Sequence, residues 1–318
     1  MVACDISVPS LGLTLGVVFV AVSAGAGVLP CLVLTARRQA RLTGRGAYER
    51  CARQLTFLGL CFGLVLTPAG FGVLYASGQG LIRLPEFLSR LGVLLPLAPW
   101  LAGLAIAAGV MCLGLRLVAV RSWAATCLAV GAVGCTWTLL AAGGALGLGL
   151  TLPARDFAAL FPADGALDLV RGLTEVAAVR PLGAAGLFVG LIHLGWATAG
   201  GLALMVQIFR RSLDDYGRDY YLLAARWCAW WAGVGGSGLA LFSLSLSWRL
   251  ARLDGVLWMW TAACAGIMLA STLAWLGIAR SDNPLRLKVL MFAAVLGLVL
   301  YLAGGAILTA TCLALIPA

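Results

Sequence analysis

His193 is the only histidine in this chain of 318 residues, and it stands in an apolar run on a helical stripe of small residues, Gly186, Gly190, Ala197 and Gly200. An imidazole surrounded by hydrocarbon is costly unless it has a partner, which makes it the first place to look for chemistry. The stripe removes side-chain bulk from its face of the helix. A flat macrocycle fits against such a surface, and so does the backbone of a neighbouring helix with the imidazole hydrogen-bonded across the interface. Trp196, one turn on, suits either arrangement.

Other chemistries are poorly supplied. A phosphate-binding Walker loop cannot be drawn from a chain whose one lysine is Lys288, and the Gly143 to Gly149 cluster lies inside an apolar run with no strand before it. Triads and metallohydrolase centres need several converging histidine, cysteine or carboxylate groups. Asp and Glu are absent from the central part of every apolar run, which removes the usual carboxylate relay of proton-coupled pumps. The ten cysteines are scattered without a CxxC pair, so they read as small packing residues.

The elements that must carry His193 are membrane helices. Hydrophobic residues make up 62% of the chain and charged residues 11%, with a mean hydropathy of +1.03, far from the balance of a water-soluble globule. Apolar runs long enough to cross a hydrocarbon core, about 20 residues, cover 9–34, 55–77, 91–115, 122–150, 183–209, 222–248, 255–279 and 289–315. They are continuous and rich in Leu, Ala and Gly, which favours helices over the alternating strands of a membrane barrel. His193 is the eleventh residue of the fifth run, about 15 Å from its outer end.

Fifteen of the 22 basic residues fall in one set of loops, from Arg37, Arg38 and Arg41 through Arg210, Arg211 and Arg226 to Lys288. Positive loops stay on the cytoplasmic side, so both termini are expected outside, in a bacterial inner membrane. Topology and anionic-lipid contact account for the net charge of +10 without nucleic acid. The segment before the first run carries Asp5 and no basic residue, so that run is expected to be a true helix and not a removed leader.

At an offset of 173 residues the chain aligns with itself: Arg37 with Arg210, Arg38 with Arg211, Gly44 with Gly217, Arg45 with Arg218, Tyr48 with Tyr221, Ala52 with Ala225 and Arg53 with Arg226. Four helices separate the copies, an even number, so the repeats share one orientation. The expectation is an all-α integral membrane protein of eight transmembrane helices in two parallel four-helix bundles. Residues 1–150 form the first, 183–318 the second, and 151–182 an outer connecting segment. In that segment Leu167, Val170, Leu173 and Ala177 share one helical face and Asp168, Arg171 and Glu175 another, as in a helix lying on the membrane surface. Pairs such as Gly12 and Gly16, Gly59 and Gly63, and Gly143 and Gly147 suit close helix packing. Pro30, Pro68, Pro96 and Pro99 are expected to bend the first three helices.

This pattern resembles the cytochrome bd oxidase family, whose membrane subunits are built from two four-helix bundles and an extra helix. In its haem-bearing subunit a fifth-helix histidine ligates a low-spin b haem, and His193, within Phe188-Val189-Gly190-Leu191-Ile192-His193, stands where that ligand would. The family's second ligand is a methionine early in the seventh helix. Met259 is the nearest here, although aligning Cys264 and Met268 with that region puts Thr261 at the position instead. The resemblance thus implies at most one b-type haem, held by His193 and Met259 and seated on Gly190 and Ala197.

Departures from the family limit the chemistry. The first helix has Val18 to Val22 and no histidine, intramembrane glutamates are missing, and the loop between the sixth and seventh helices is reduced to residues around Arg249, Arg252 and Asp254. Oxygen reduction and the usual quinol site are therefore not expected. One subunit of that family carries no haem at all. The reading is a bd-like subunit of a bacterial respiratory or redox complex, in electron transfer or scaffolding, with other subunits as partners. The alternatives are a small-solute transporter of two parallel repeats and a membrane anchor for a peripheral protein.

Overall fold

A computed structural model describes residues 28–58, 98–118, 122–150, 171, 172, 175, 181–211, 216–251 and 255–315. Both termini, Gly12 and Gly16, Gly59 and Gly63, Pro68, Pro96 and most of the outer segment lie outside the described residues. Within the segment, Arg171 and Glu175 form an ion pair of 3.0 Å at helical i,i+4 spacing.

The described residues are helical, with no strand among them. We number the helices α1 (28–43), α2 (46–58), α3 (Ala98–Leu117), α4 (Trp123–Leu150), α5 (Pro181–Arg210), α6 (Arg218–Leu250), α7 (Gly255–Arg280) and α8 (Lys288–Leu315). A 3-10 turn, Pro284–Arg286, precedes α8. Among the described residues, four stretches are long and apolar enough to cross a membrane: Phe188–Arg210, Arg218–Trp248, Trp258–Arg280 and Lys288–Gly305. Leu241, Leu244, Leu273, Leu296 and Leu300 point outward from them, as lipid-facing side chains do. A helix suits that setting because it satisfies its backbone groups within one segment.

Helices α5 to α8 close into a ring in which α5 packs on α6, α6 on α7, α7 on α8 and α8 back on α5. Trp275 of α7 fills the centre. It is fully buried, 3.3 Å from where a Cβ would stand on Gly201 of α5 and 3.1 Å from the same point on Gly236 of α6. A second plug lies across one diagonal, where the hydroxyls of Ser243 on α6 and Tyr301 on α8 are 2.9 Å apart. The ring interior is therefore occupied by side chains at both levels.

The remaining helices join this ring through α4 on α5 and through contacts between α2 and α6. These last two helices correspond under the 173-residue offset. Tyr48 meets Trp227 edge to face at 5.5 Å, and the counterpart of Trp227 is Gln54, which accepts a 2.6 Å hydrogen bond from Tyr220. Tyr220 is the neighbour of Tyr221, the counterpart of Tyr48. Tyr221 itself donates to the Arg210 carbonyl at 3.4 Å, so the two contacts involve aligned segments without being exchanged residue for residue. The turns that lead into these helices match as well. Gly44 and Gly217 have φ of 67° and 84°, and no other described residue has a positive value.

Arginines of the basic loops hold neighbouring helix ends. From α1, Arg37 donates to the carbonyl of Leu115 near the end of α3 at 2.6 Å. One turn later, Arg41 reaches the Ser122 carbonyl and, at 2.8 Å, the Thr126 hydroxyl. Ser122 in turn caps α4 by accepting from the Ala125 amide at 3.1 Å. Arg37 is only 3% exposed, and its Nε and one Nη have no partner among the described residues. Burial, and then the charge of Arg41, push its pKa below the ordinary arginine range. Across the molecule, Arg226 donates to the Ser281 carbonyl just past α7 at 2.8 Å. Cations at helix C-termini complement both the unpaired carbonyls and the helix dipole. The basic face thus has structural work beyond setting topology.

Candidate functional site

The candidate site is built on the seam between α5 and α6. Along it the small residues of the two helices face one another. A Cβ on Gly200 would strike the backbone of Ala232 and, at 2.7 Å, the Cys228 carbonyl. One on Gly235 would strike the Ala197 amide and, at 2.6 Å, the His193 carbonyl. Gly190 faces the Phe242 ring at 3.8 Å. Ala197 and Gly200 are thus covered by a helix backbone, one of the two occupants open to the stripe in the sequence, while Gly186 has nothing within 4 Å among the described residues. Such close approach is the main source of van der Waals energy between helices in lipid.

His193 lies on the same seam. A Cβ built on Gly238 would overlap the imidazole at Cδ2 and crowd Cγ and Nε2 almost equally, so the ring presents its face, and not an edge, to the Gly238 backbone. Its Nδ1 is 2.8 Å from the Val189 carbonyl of its own helix. Because that carbonyl can only accept, Nδ1 carries a proton and donates it. The hydrogen bond is local and does not cross the interface as expected.

An aromatic file begins at this ring. Trp196 is 5.4 Å from His193, Trp231 is 5.6 Å from Trp196, Trp227 is 6.0 Å from Trp231, and Tyr48 is 5.5 Å from Trp227. It runs from α5 across α6 to α2. His193 therefore belongs to the junction between the halves. The indole N–H groups of Trp196, Trp227 and Trp231 are buried with no acceptor among the described residues.

The four residues expected to hold a haem are not brought together. Met259 is 60% exposed on the outward face of α7, between the exposed Trp258 and Trp260, as in a belt at a membrane surface. Thr261, two residues on, is 2% exposed and shares the inward face with Cys264, Met268 and Trp275. Helix α7 packs on α6 and α8, so it stands across the ring from α5. Gly190 and Ala197 are occupied by α6. With its stripe covered and its methionine turned outward, the set does not fit the macrocycle. Among the described residues, no three His, Cys, Asp or Glu side chains are grouped to hold a metal ion.

A polar cluster escaped the reading of the sequence. Gln207 of α5 donates to Gln54 of α2 at 2.7 Å, and Tyr220 donates to the same Gln54 oxygen. All three are buried, and Gln54 Nε2 and Gln207 Oε1 have no partner among the described residues. A glutamine within Met205-Val206-Gln207-Ile208-Phe209 was the available signal. An uncharged amide marks an apolar run less sharply than a carboxylate or a guanidinium does.

A cleft opens on the arginine-rich face beside this cluster. Its volume is about 970 Å³, and Arg45, Tyr48, Tyr220, Arg226, Trp227 and Trp230 are among its walls. No protein-family model and no curated protein sequence matches the chain.

Proposed function

We propose that this chain is a cytochrome bd-like integral membrane subunit of a bacterial respiratory or redox complex. It lies in the inner membrane with both termini outside, as eight transmembrane helices in two parallel four-helix bundles. The observation that carries this reading is the packing of α2 on α6, Tyr48 on Trp227 and Gln54 on Tyr220, between helices aligned by the 173-residue offset. The closed ring of α5 to α8 supports the second bundle. The plugged interior and the covered stripe favour scaffolding over electron transfer. In this role the chain holds partner subunits in the bilayer, and a b-type haem at His193 and Met259 belongs to the resemblance alone.

The test has two measurements. Purified alone after expression with ample haem, the protein is expected to give a flat reduced-minus-oxidised spectrum. Purified from its native membrane, it is expected to bring a haem-bearing subunit at fixed stoichiometry. A b-type band abolished by His193→Ala would overturn the scaffolding role. A native preparation holding this chain alone would overturn membership of a complex.

A further inference from the structure

The cleft on the arginine-rich face lies between the starts of α2 and α6 and the end of α7. Arg45, Gly46, Ala47 and Tyr48 contribute from the first turn, Asp219, Tyr220, Leu222, Leu223, Arg226, Trp227 and Trp230 from α6, and Ala279 from α7. Its volume is at the upper end of the range for small-molecule sites, about 300 to 1,000 Å³.

We infer that this cleft binds the headgroup of an anionic phospholipid from the adjacent leaflet. Two observations point to one chemistry. Arg45 lines the cleft with a guanidinium that makes no hydrogen bond or ion pair among the described residues, and Arg226 lines it while holding Ser281 and, at 3.8 Å, Asp282. Gly46 and Ala47 are the first residues of α2, where backbone N–H groups have no preceding helical carbonyl and the helix dipole favours an anion. A phosphate diester supplies the negative charge and the acceptor oxygens that suit these donors. Among the described residues, Asp219 is the one acidic group in the lining. It leaves a net positive cleft that disfavours a zwitterion less strongly bound by its phosphate.

The acyl chains decide between a lipid and a free phosphate. Leu222, Leu223, Trp230 and Ala279 give the cleft an apolar side, and Trp230, about 18 Å into the Arg218–Trp248 span, is 47% exposed. A lipid whose phosphate sits among the arginines can lay its chains along that side. The inference needs the membrane spans and not the redox reading.

The experiment is native mass spectrometry of the delipidated full-length protein, titrated with micellar phosphatidylglycerol, phosphatidylcholine or inorganic phosphate. Phosphatidylglycerol is expected to bind at least fivefold more tightly than phosphatidylcholine. Arg45→Gln is expected to weaken it about fivefold, the effect of one basic residue near an anionic leaflet. Arg38→Gln removes the same charge outside the cleft and is expected to leave it unchanged. Arg45 holds no other element among the described residues, so its variant tests binding even if Arg226→Gln fails to fold. Equal binding of the two lipids, equal behaviour of the two variants, or displacement of the lipid by inorganic phosphate would each overturn the inference.

Discussion

The face of the His193 imidazole rests on the backbone of Gly238, with no space between them for even a methyl group. Stacking of this kind ties the only histidine to one position on α6. Gly238→Ala is expected to cost roughly 1 to 3 kcal/mol, the usual range for overpacking. In His193→Ala the methyl group has room, so the double variant is expected to recover most of that loss. Reversible unfolding in mixed micelles, run as a double-mutant cycle, reads the coupling. Additive costs would show that the two residues do not touch.

Trp275 has the role of a keystone for the ring of α5 to α8. Trp275→Ala is expected to lose about 3 to 5 kcal/mol, since the cavity lies between Gly201 and Gly236, which have no side chains of their own to fill it. Trp275→Phe is expected to lose less. The buried indole N–H has no acceptor among the described residues, so no hydrogen bond is sacrificed. Thermal unfolding of the two variants in one detergent measures the difference, and a loss in Trp275→Ala no larger than in Trp275→Phe would refute it.

Gln54 accepts from both Gln207 and Tyr220, which makes the three residues a unit. Gln54→Leu strands two buried donors and is expected to destabilise by about 1 to 3 kcal/mol. Adding Gln207→Leu and Tyr220→Phe is expected to restore part of that stability, because no stranded partner remains. A triple variant worse than the single one would rule out a coupled network.

Gly44 and Gly217 stand at aligned turns in the same left-handed conformation. A Cβ meets nothing within 4 Å at either position, so the cost of alanine comes from the backbone alone. Gly44→Ala and Gly217→Ala are each expected to cost about 1 to 2 kcal/mol, with asparagine better tolerated. Matching costs in the unfolding experiment are the result to look for. A large difference would mean that the two turns bear unequal loads.

Much of the fold was legible in the sequence because membrane helices are set by local properties. The fifth apolar run, 183–209, emerges as Pro181–Arg210, and the seventh, 255–279, as Gly255–Arg280. Hydrocarbon forces each long apolar stretch to close its own hydrogen bonds, so its length and composition suffice to mark it. The candidate site was legible only by half. His193 and its small-residue stripe could be read, but not which occupant the stripe receives.

That choice rested with the other helix. Gly235 and Gly238 let the α6 backbone reach Ala197 and the imidazole, and a bulkier pair there would have left the groove open. Met259 shows the same division. Its place near the start of α7 follows from the sequence, while its side of the helix follows from packing that turns Thr261, Cys264 and Met268 inward. Two residues along a helix are about 200° around it. Composition determined that this chain enters a membrane and where its helices lie. The tertiary structure decided which faces meet, because that depends on the fit of two surfaces and no single segment encodes both.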